Sequence, residues 1–253
     1  MGTTDYTYHL KELFEQEPNA IIREISPNDE MYSGNDIHYF GVGRSALQCV
    51  KLAMLASGKE SFKNILDFPC GHGRVLRSLK ATFPEAKITA CDLNQDGVDF
   101  CARVFGATGV YSKENPAEIS LPGDFDLIWC GSLLTHLNSD RWDKFLNLFK
   151  SLLCPGGIVI FTVAGKYIAD RIRHNLHTYG LEPQKLHILI EDYDRNGFGY
   201  LDYPEFQNYG ISLSSPPWVL LQLQKLSGLR LLTYIETGWD SHQDVVACIR
   251  VQD

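Results

Sequence analysis

Ile65-Leu66-Asp67-Phe68-Pro69-Cys70-Gly71-His72-Gly73-Arg74 decides the fold of this 253-residue chain. An apolar run ending in Asp, then a glycine-bearing turn, then a helical pattern is a nucleotide-binding arrangement. Glycines let a ligand approach the backbone, and a helix N-terminus offers free N–H groups. Gly71-His72-Gly73 is only a partial GxGxxG, because Leu76 stands where a third glycine would be, which weakens the case for a pyrophosphate cofactor such as NAD. Asp92 lies 19 residues beyond Gly73, where a carboxylate accepts hydrogen bonds from a ribose diol.

Outward from the turn, short apolar runs alternate with longer helical patterns, as parallel βαβ units require. Strands are predicted at 64–68, 87–91, 109–111, 126–130 and 158–164, with helices at 74–82, 96–105 and 139–153 between them. Asn138 or Ser139 caps the last of these helices, and Cys154-Pro155-Gly156-Gly157 ends it. A helix at 216–226 precedes two final strands, 229–235 and 244–251. The link between those two is too short for a crossover, so they are expected to be antiparallel. The predicted fold is α/β and doubly wound: a seven-stranded, mostly parallel sheet with an antiparallel C-terminal hairpin strand, plus a cap insertion. Residues 1–58 are expected to form an N-terminal helical cover with a loop around 33–43. Residues 59–164 and 216–253 form the main domain, and 165–215, too long for an ordinary connection, form a cap or substrate lobe.

Composition narrows the partners. With a net charge of −8, 44% hydrophobic and 21% charged residues, the chain lacks the basic surface that binding nucleic acid demands. No apolar run approaches the roughly 18 residues of a membrane span, and the first residues carry no secretory pattern. Seven cysteines without a CxxC pair read as reduced, buried thiols, so the expected location is the cytoplasm and the expected partner a small molecule.

The chain resembles class I, Rossmann-like S-adenosylmethionine-dependent methyltransferases. The resemblance rests on 65–74, on Cys91-Asp92-Leu93-Asn94, on Phe125-Asp126-Leu127-Ile128-Trp129 and on Leu153-Cys154-Pro155-Gly156-Gly157. It implies S-adenosyl-L-methionine as cofactor, with Asp67 orienting its amino end, Gly71 and Gly73 lining it and Asp92 binding its ribose. Pro69, where the family typically has its first glycine, together with Cys70, Leu93 and Cys130, completes the implied set. In related enzymes a segment such as Tyr39-Phe40-Gly41-Val42-Gly43-Arg44-Ser45 folds over the cofactor, so Arg44 is a candidate for its carboxylate, or else an ordinary helix-start residue. The other enzyme that such a sheet accommodates is a nucleotide-dependent oxidoreductase.

Ligands of open α/β sheets bind beyond the carboxyl ends of the strands. The fourth strand delivers Cys130 to His136 there, and the exit loop of the penultimate strand brings His242 to the same edge. Methyl transfer to oxygen or nitrogen is an in-line displacement that a base assists, and histidine titrates in the right range. His136 is therefore the first candidate for the base and His242 the second; their alternatives are a turn cap and a hairpin-loop residue. Phe198, Tyr200, Tyr203, Tyr209 and Trp239 are candidate substrate-wall residues.

Two further patterns compete for attention. Residues 194–205 place oxygen side chains at positions 1, 3, 9 and 12 and Gly at position 6 of a calcium-loop count, but Phe198 occupies position 5 and no exit helix follows. A calcium-responsive binding module would rest on these residues alone, and no metal is assigned. Ser215-Pro216-Pro217-Trp218 resembles a Pro-Pro-aromatic methyltransferase motif, yet it sits in the wrong place and reads as a helix cap followed by a first turn.

Overall fold

A computed structural model describes residues 20–251. The chain runs α1 (Asp36–Ser57), β1 (Asn64–Asp67), α2 (Leu76–Thr82), β2 (Lys87–Asp92), α3 (Gln95–Phe105), β3 (Thr108–Tyr111), β4 (Phe125–Cys130), α4 (Ser139–Leu152) and β5 (Leu153–Val163). It continues through α5 (Lys166–Arg173), α6 (Leu186–Asn196), β6 (Phe198–Asp202), β7 (Gly210–Ser214), α7 (Pro216–Lys225), β8 (Leu229–Trp239) and β9 (Gln243–Arg250). Seven strands form one sheet in the order β3-β2-β1-β4-β5-β9-β8. All neighbours pair in parallel except β9, which is antiparallel to both β5 and β8. The predicted doubly wound sheet with its antiparallel hairpin strand is thus the observed one.

Alternation along the central strands splits the core into two layers. Leu127 and Trp129 of β4, with Ile158 and Ile160 of β5, pack toward α1, α2 and α3. Ile128, Cys130, Val159 and Phe161 face the other way, against Trp142, Phe145 and Phe149 of α4 and Val219 and Leu223 of α7. A strand buried on both faces needs a nearly continuous apolar run, which is what β4 and β5 supply.

Two expectations change. The loop expected around 33–43 is helical from Asp36, where Asn35 caps the helix by accepting from the His38 N–H (3.1 Å). Gly43 serves packing rather than a turn: a Cβ on it would lie 2.6 Å from Ser78 Oγ, so Gly43 lets α1 sit directly on α2, whereas a Cβ on Gly41 would meet nothing within 4 Å. The Cys154–Gly157 stretch belongs to β5, which starts at Leu153 and is irregular in its pairing with β4. Antiparallel pairing of β8 and β9 continues to Trp239 and Gln243, and Asp240 and Ser241 in the turn adopt positive φ (54° and 51°), as tight hairpin turns require.

Residues 166–214 form α5, α6 and the antiparallel pair β6–β7 around a small apolar cluster that includes Ile168, Leu189 and Leu213. This unit sits on the carboxyl ends of β4 and β5. Ser214 N–H donates to Ala164 O (2.9 Å) and Ser212 Oγ to Leu134 O (2.7 Å). The calcium-like stretch is divided between two elements. Asp194 lies on α6 and binds Arg173 (2.7 Å), Gly197 is the C-cap, and Phe198–Asp202 is strand. Its oxygen side chains therefore do not converge, and among the described residues no cluster of His, Cys, Asp and Glu suits a metal. Among them, too, no helix is long and apolar enough to cross a membrane.

Candidate active site

Beyond the carboxyl ends of β1, β2 and β4 lies a cavity of about 370 Å³, within the range of small-molecule sites. Asp67, the last residue of β1, lines it and is 1% exposed. Among the described residues, neither of its carboxylate oxygens has a hydrogen-bond partner. Burial, and then the nearby charge of Asp92, push its pKa well above the ordinary carboxylate value. A buried carboxylate left without a donor is costly, so its presence at a cavity wall marks a place for a cationic or donor group.

Asp92 ends β2 and is fixed in place. One oxygen accepts from Gly71 N–H (2.7 Å) and the other from Asn94 N–H (2.9 Å). Each oxygen keeps a further lone pair for a ligand hydroxyl. Gly71 and Gly73 both have positive φ (48° and 79°), which lets the turn fold under the cavity and return into α2. Pro69 and Cys70 also line the cavity. A second cavity, also about 370 Å³, shares Pro69, Asp92, Ser132 and Tyr209 with the first and adds Leu93 and Phe206.

His136 ends the short turn Leu134–His136 after β4 and lines the first cavity. Its Nδ1 lies 2.8 Å from Gly210 O and 3.1 Å from Tyr203 Oη, and Tyr209 stacks on the ring at 5.1 Å. A carbonyl can only accept, so Nδ1 carries the proton and Nε2 is left as the basic nitrogen. Burial lowers the pKa of the imidazolium below its ordinary 6.5, which keeps the ring neutral at neutral pH. Ser132, in a left-handed conformation (φ 61°), is held by Thr162 through its N–H (2.7 Å) and by Gln243 through its hydroxyl (3.0 Å).

Several predicted residues lie elsewhere. His242 packs against the rings of Tyr167 and Tyr179 (5.6 and 5.7 Å) and does not line the cavity, because the tight β8–β9 turn directs it toward the inserted unit. Arg44 is exposed, since α1 already encloses it and turns it outward. Cys130 is fully buried on the α4 side of the sheet, as strand alternation requires. Tyr200 bonds to Asp202 and lines neither cavity, and Phe198 stacks on Trp218 within the core. Trp239 does line the first cavity, and Tyr203 supports His136.

Other residues escape a reading by sequence. Asp29, His72, Arg74 and Trp129 all line the first cavity. His72, an unassigned spacer in the glycine turn, is buried with Nε2 2.8 Å from Asp96. Asp29 arrives from the segment before α1, where it accepts from Tyr39 Oη. The turn itself offered a signal for His72 and Arg74, but nothing local distinguishes Asp29 or Trp129.

Residues 65–157 match the family described as Methyltransferase domain. A fatty-acid O-methyltransferase from Mycolicibacterium smegmatis is 35% identical over 104 residues, 40% of this chain and 37% of that protein. A second relative, from Synechococcus, is matched over 25% of its length, so the similar stretch is a minor part of both. Among solved structures, the N-methyltransferase NodS from Bradyrhizobium japonicum, in complex with S-adenosyl-L-homocysteine, superposes with a TM-score of 0.54 at 13% identity, covering 98% of this chain and 100% of that one. An S-adenosylmethionine-dependent methyltransferase from Clostridium acetobutylicum gives 0.56 at 13% identity, covering 99% and 100%. At such identities the likeness is one of fold.

Proposed function

We propose that the protein is a class I, Rossmann-like methyltransferase that uses S-adenosylmethionine to methylate an oxygen or nitrogen of a small-molecule acceptor, a reading supported by the family match over residues 65–157. The observation that carries this reading is the partnerless carboxylate of Asp67 at the cavity wall. An ammonium at the amino-acid end of the cofactor would satisfy it. Asp92, with both oxygens oriented by backbone N–H groups, suits the ribose hydroxyls, and Gly71, Gly73, Pro69 and Cys70 form the surface between the two acids. Leu93 in the adjoining cavity offers an apolar contact for the flat base. When bound, the cofactor supplies a methyl group on a sulfonium, ready for attack by a nucleophile.

The chain's own task is then to align the acceptor and take its proton. His136 takes this role in the proposed reading, which is supported by Nδ1 being pinned by Gly210 and Tyr203 and by Nε2 being left as the basic atom. Tyr209 and Trp239 supply aromatic walls beside it. The likeness to a fatty-acid O-methyltransferase puts carboxylic acids first among the acceptors to assay.

Thermal melting of the chain with S-adenosylmethionine, S-adenosyl-L-homocysteine and NAD tests the reading. Both adenosyl compounds should stabilise the fold, by about 2.7 kcal/mol at a hundred times Kd. Asp67→Ala and Asp92→Ala should each abolish the shift. Stabilisation by NAD alone would overturn the assignment in favour of an oxidoreductase.

A further inference from the structure

The loop that holds His136 is itself tied down from outside the first cavity. Residues 203–209 join β6 to β7, and the loop closes at its neck, where Tyr203 N–H donates to Tyr209 O (3.0 Å). All three contacts to the imidazole come from this neck: Gly210 O and Tyr203 Oη at Nδ1, and the Tyr209 ring on the face. Pairing of Asp202 with Gly210 fixes the first of them within the strands. The two tyrosines lie on the loop, beyond the last paired residues.

The far side of that loop is held by Arg141, in the first turn of α4. Its Nη1 donates to Asn208 O (2.7 Å) and its Nη2 to Glu114 O (2.9 Å), in the segment after β3. The arginine is anchored at both ends. Asn138 Oδ1 accepts its backbone N–H (3.1 Å), and its guanidinium lies 6.0 Å from the centroid of the Phe145 ring. Asn208 has φ 60°, a conformation that a residue other than glycine keeps only where its surroundings enforce it. Among the described residues Arg141 forms no ion pair, so its fork is spent on carbonyls of two separate loops. A planar guanidinium can span two acceptors in fixed directions, which an ammonium cannot.

We propose that Arg141 is a positioning residue for His136: by clamping Asn208 to the segment after β3, it holds Tyr203 and Tyr209 against the imidazole. Without the clamp Asn208 relaxes, the Tyr209 ring leaves the imidazole face, and water reaches the ring. Burial is what lowers the His136 pKa, so a loosened loop raises it toward 6.5. Tyr203 and Tyr209 are the titratable groups against the ring, and burial pushes both upward from 10, so neither ionises where His136 titrates. Asp67 and Asp92 line the same cavity and are common to wild type and variants. The role of His136 as base rests on the methyltransferase reading; the hold of Arg141 on the ring does not.

Nitrogen-15 NMR titration of the imidazoles in the full chain tests the proposal. In the wild type His136 should carry its proton on Nδ1 and titrate below 6.5. In Arg141→Gln its pKa should rise by about 0.5 or more, and the Nδ1–H form should lose its dominance. Arg141→Lys keeps the charge without the fork and should move both in the same direction. Leu152→Ala opens a cavity at the far end of the same helix, which lowers stability with the clamp intact, and should leave both at wild-type values. The proposal is overturned if Arg141→Gln leaves pKa and tautomer unchanged, if Arg141→Lys matches the wild type, or if Leu152→Ala moves the ring as far. Should Arg141→Gln fail to fold, Arg141→Lys against Leu152→Ala carries the comparison. Once an acceptor is known, the acid limb of kcat should follow the NMR pKa in each variant. A wild-type chain that binds neither S-adenosylmethionine nor S-adenosyl-L-homocysteine would refute the methyltransferase reading, and the NMR titration would still decide Arg141.

Discussion

Asp67 combines a structural cost with the ligand-binding role proposed for it, and the two predict opposite outcomes for one substitution. Its folded-state pKa lies above its unfolded value, so the folded chain holds the proton more tightly. Stability is therefore lost as pH rises above the ordinary carboxylate range. Asp67→Asn removes that loss, and its melting temperature should exceed that of the wild type by a margin that grows from pH 4 to pH 7. The same variant should bind S-adenosyl-L-homocysteine weakly or not at all, a trade of function against stability. For His136 the sign runs the other way. Burial lowers its imidazolium pKa below 6.5, so the neutral, basic ring persists to lower pH than for an exposed histidine. Turnover, once an acceptor is found, should fall with decreasing pH through a point below 6.5, and His136→Ala should lose about a hundredfold or more in kcat together with that pH limb. A full-rate alanine variant would remove His136 from the proton transfer.

The glycine turn and its neighbours set the tolerance of the site at the scale of elements. At Gly71 a Cβ meets nothing within 4 Å, although φ is 48°. At Gly73, with φ 79°, a Cβ would fall 2.5 Å from the Phe105 ring and 3.1 Å from Cys101 Sγ. Gly71→Ala should therefore cost only the backbone penalty, about 1–2 kcal/mol, whereas Gly73→Ala adds overpacking against α3, for about 2–4 kcal/mol in all. Urea denaturation of the two variants measures the difference. The importance of this turn was legible in the sequence, because a strand, two glycines and a second acid at the right separation are local signals. Their different reasons were not. Gly43 illustrates the same limit: a glycine pair reads as a loop until the Ser78 hydroxyl packed beneath it is seen.

Across the whole molecule, one buried cation ties the chain before α1 to the site. Arg77 is 2% exposed and donates to Gly73 O (3.1 Å), to Ile22 O and Glu24 O (both 3.0 Å) and to Tyr39 Oη (3.2 Å), while its guanidinium faces the Tyr39, Phe40 and Phe105 rings. Through it the turn, α1 and residues 22–24 become one body, which holds Asp29 at the cavity wall. Arg77→Ala should lower stability by about 3–4 kcal/mol, since several carbonyls lose a charged donor at once. Hydrogen exchange should rise most in residues 20–35, and an unchanged exchange pattern there would show that the segment is held by other contacts.

The alternation of strands and helices, the antiparallel final strand and the two acids at the strand ends were determined by the sequence alone. Each depends on hydrophobic period, on the length of a connection or on a residue's place at the end of a strand. Only the tertiary structure decided which side chains share the cavity. Cys130 and Trp129 are adjacent in the chain yet face opposite layers, and Asp29, Arg74, His136 and Trp239 meet from four separate segments. His242 and Arg44 stand near those segments in sequence but are turned away, His242 by the turn after a strand that runs on to Trp239 and Arg44 by a helix that already starts at Asp36. The direction of a side chain depends on where its element begins and on what packs behind it, and neither is encoded in local spacing.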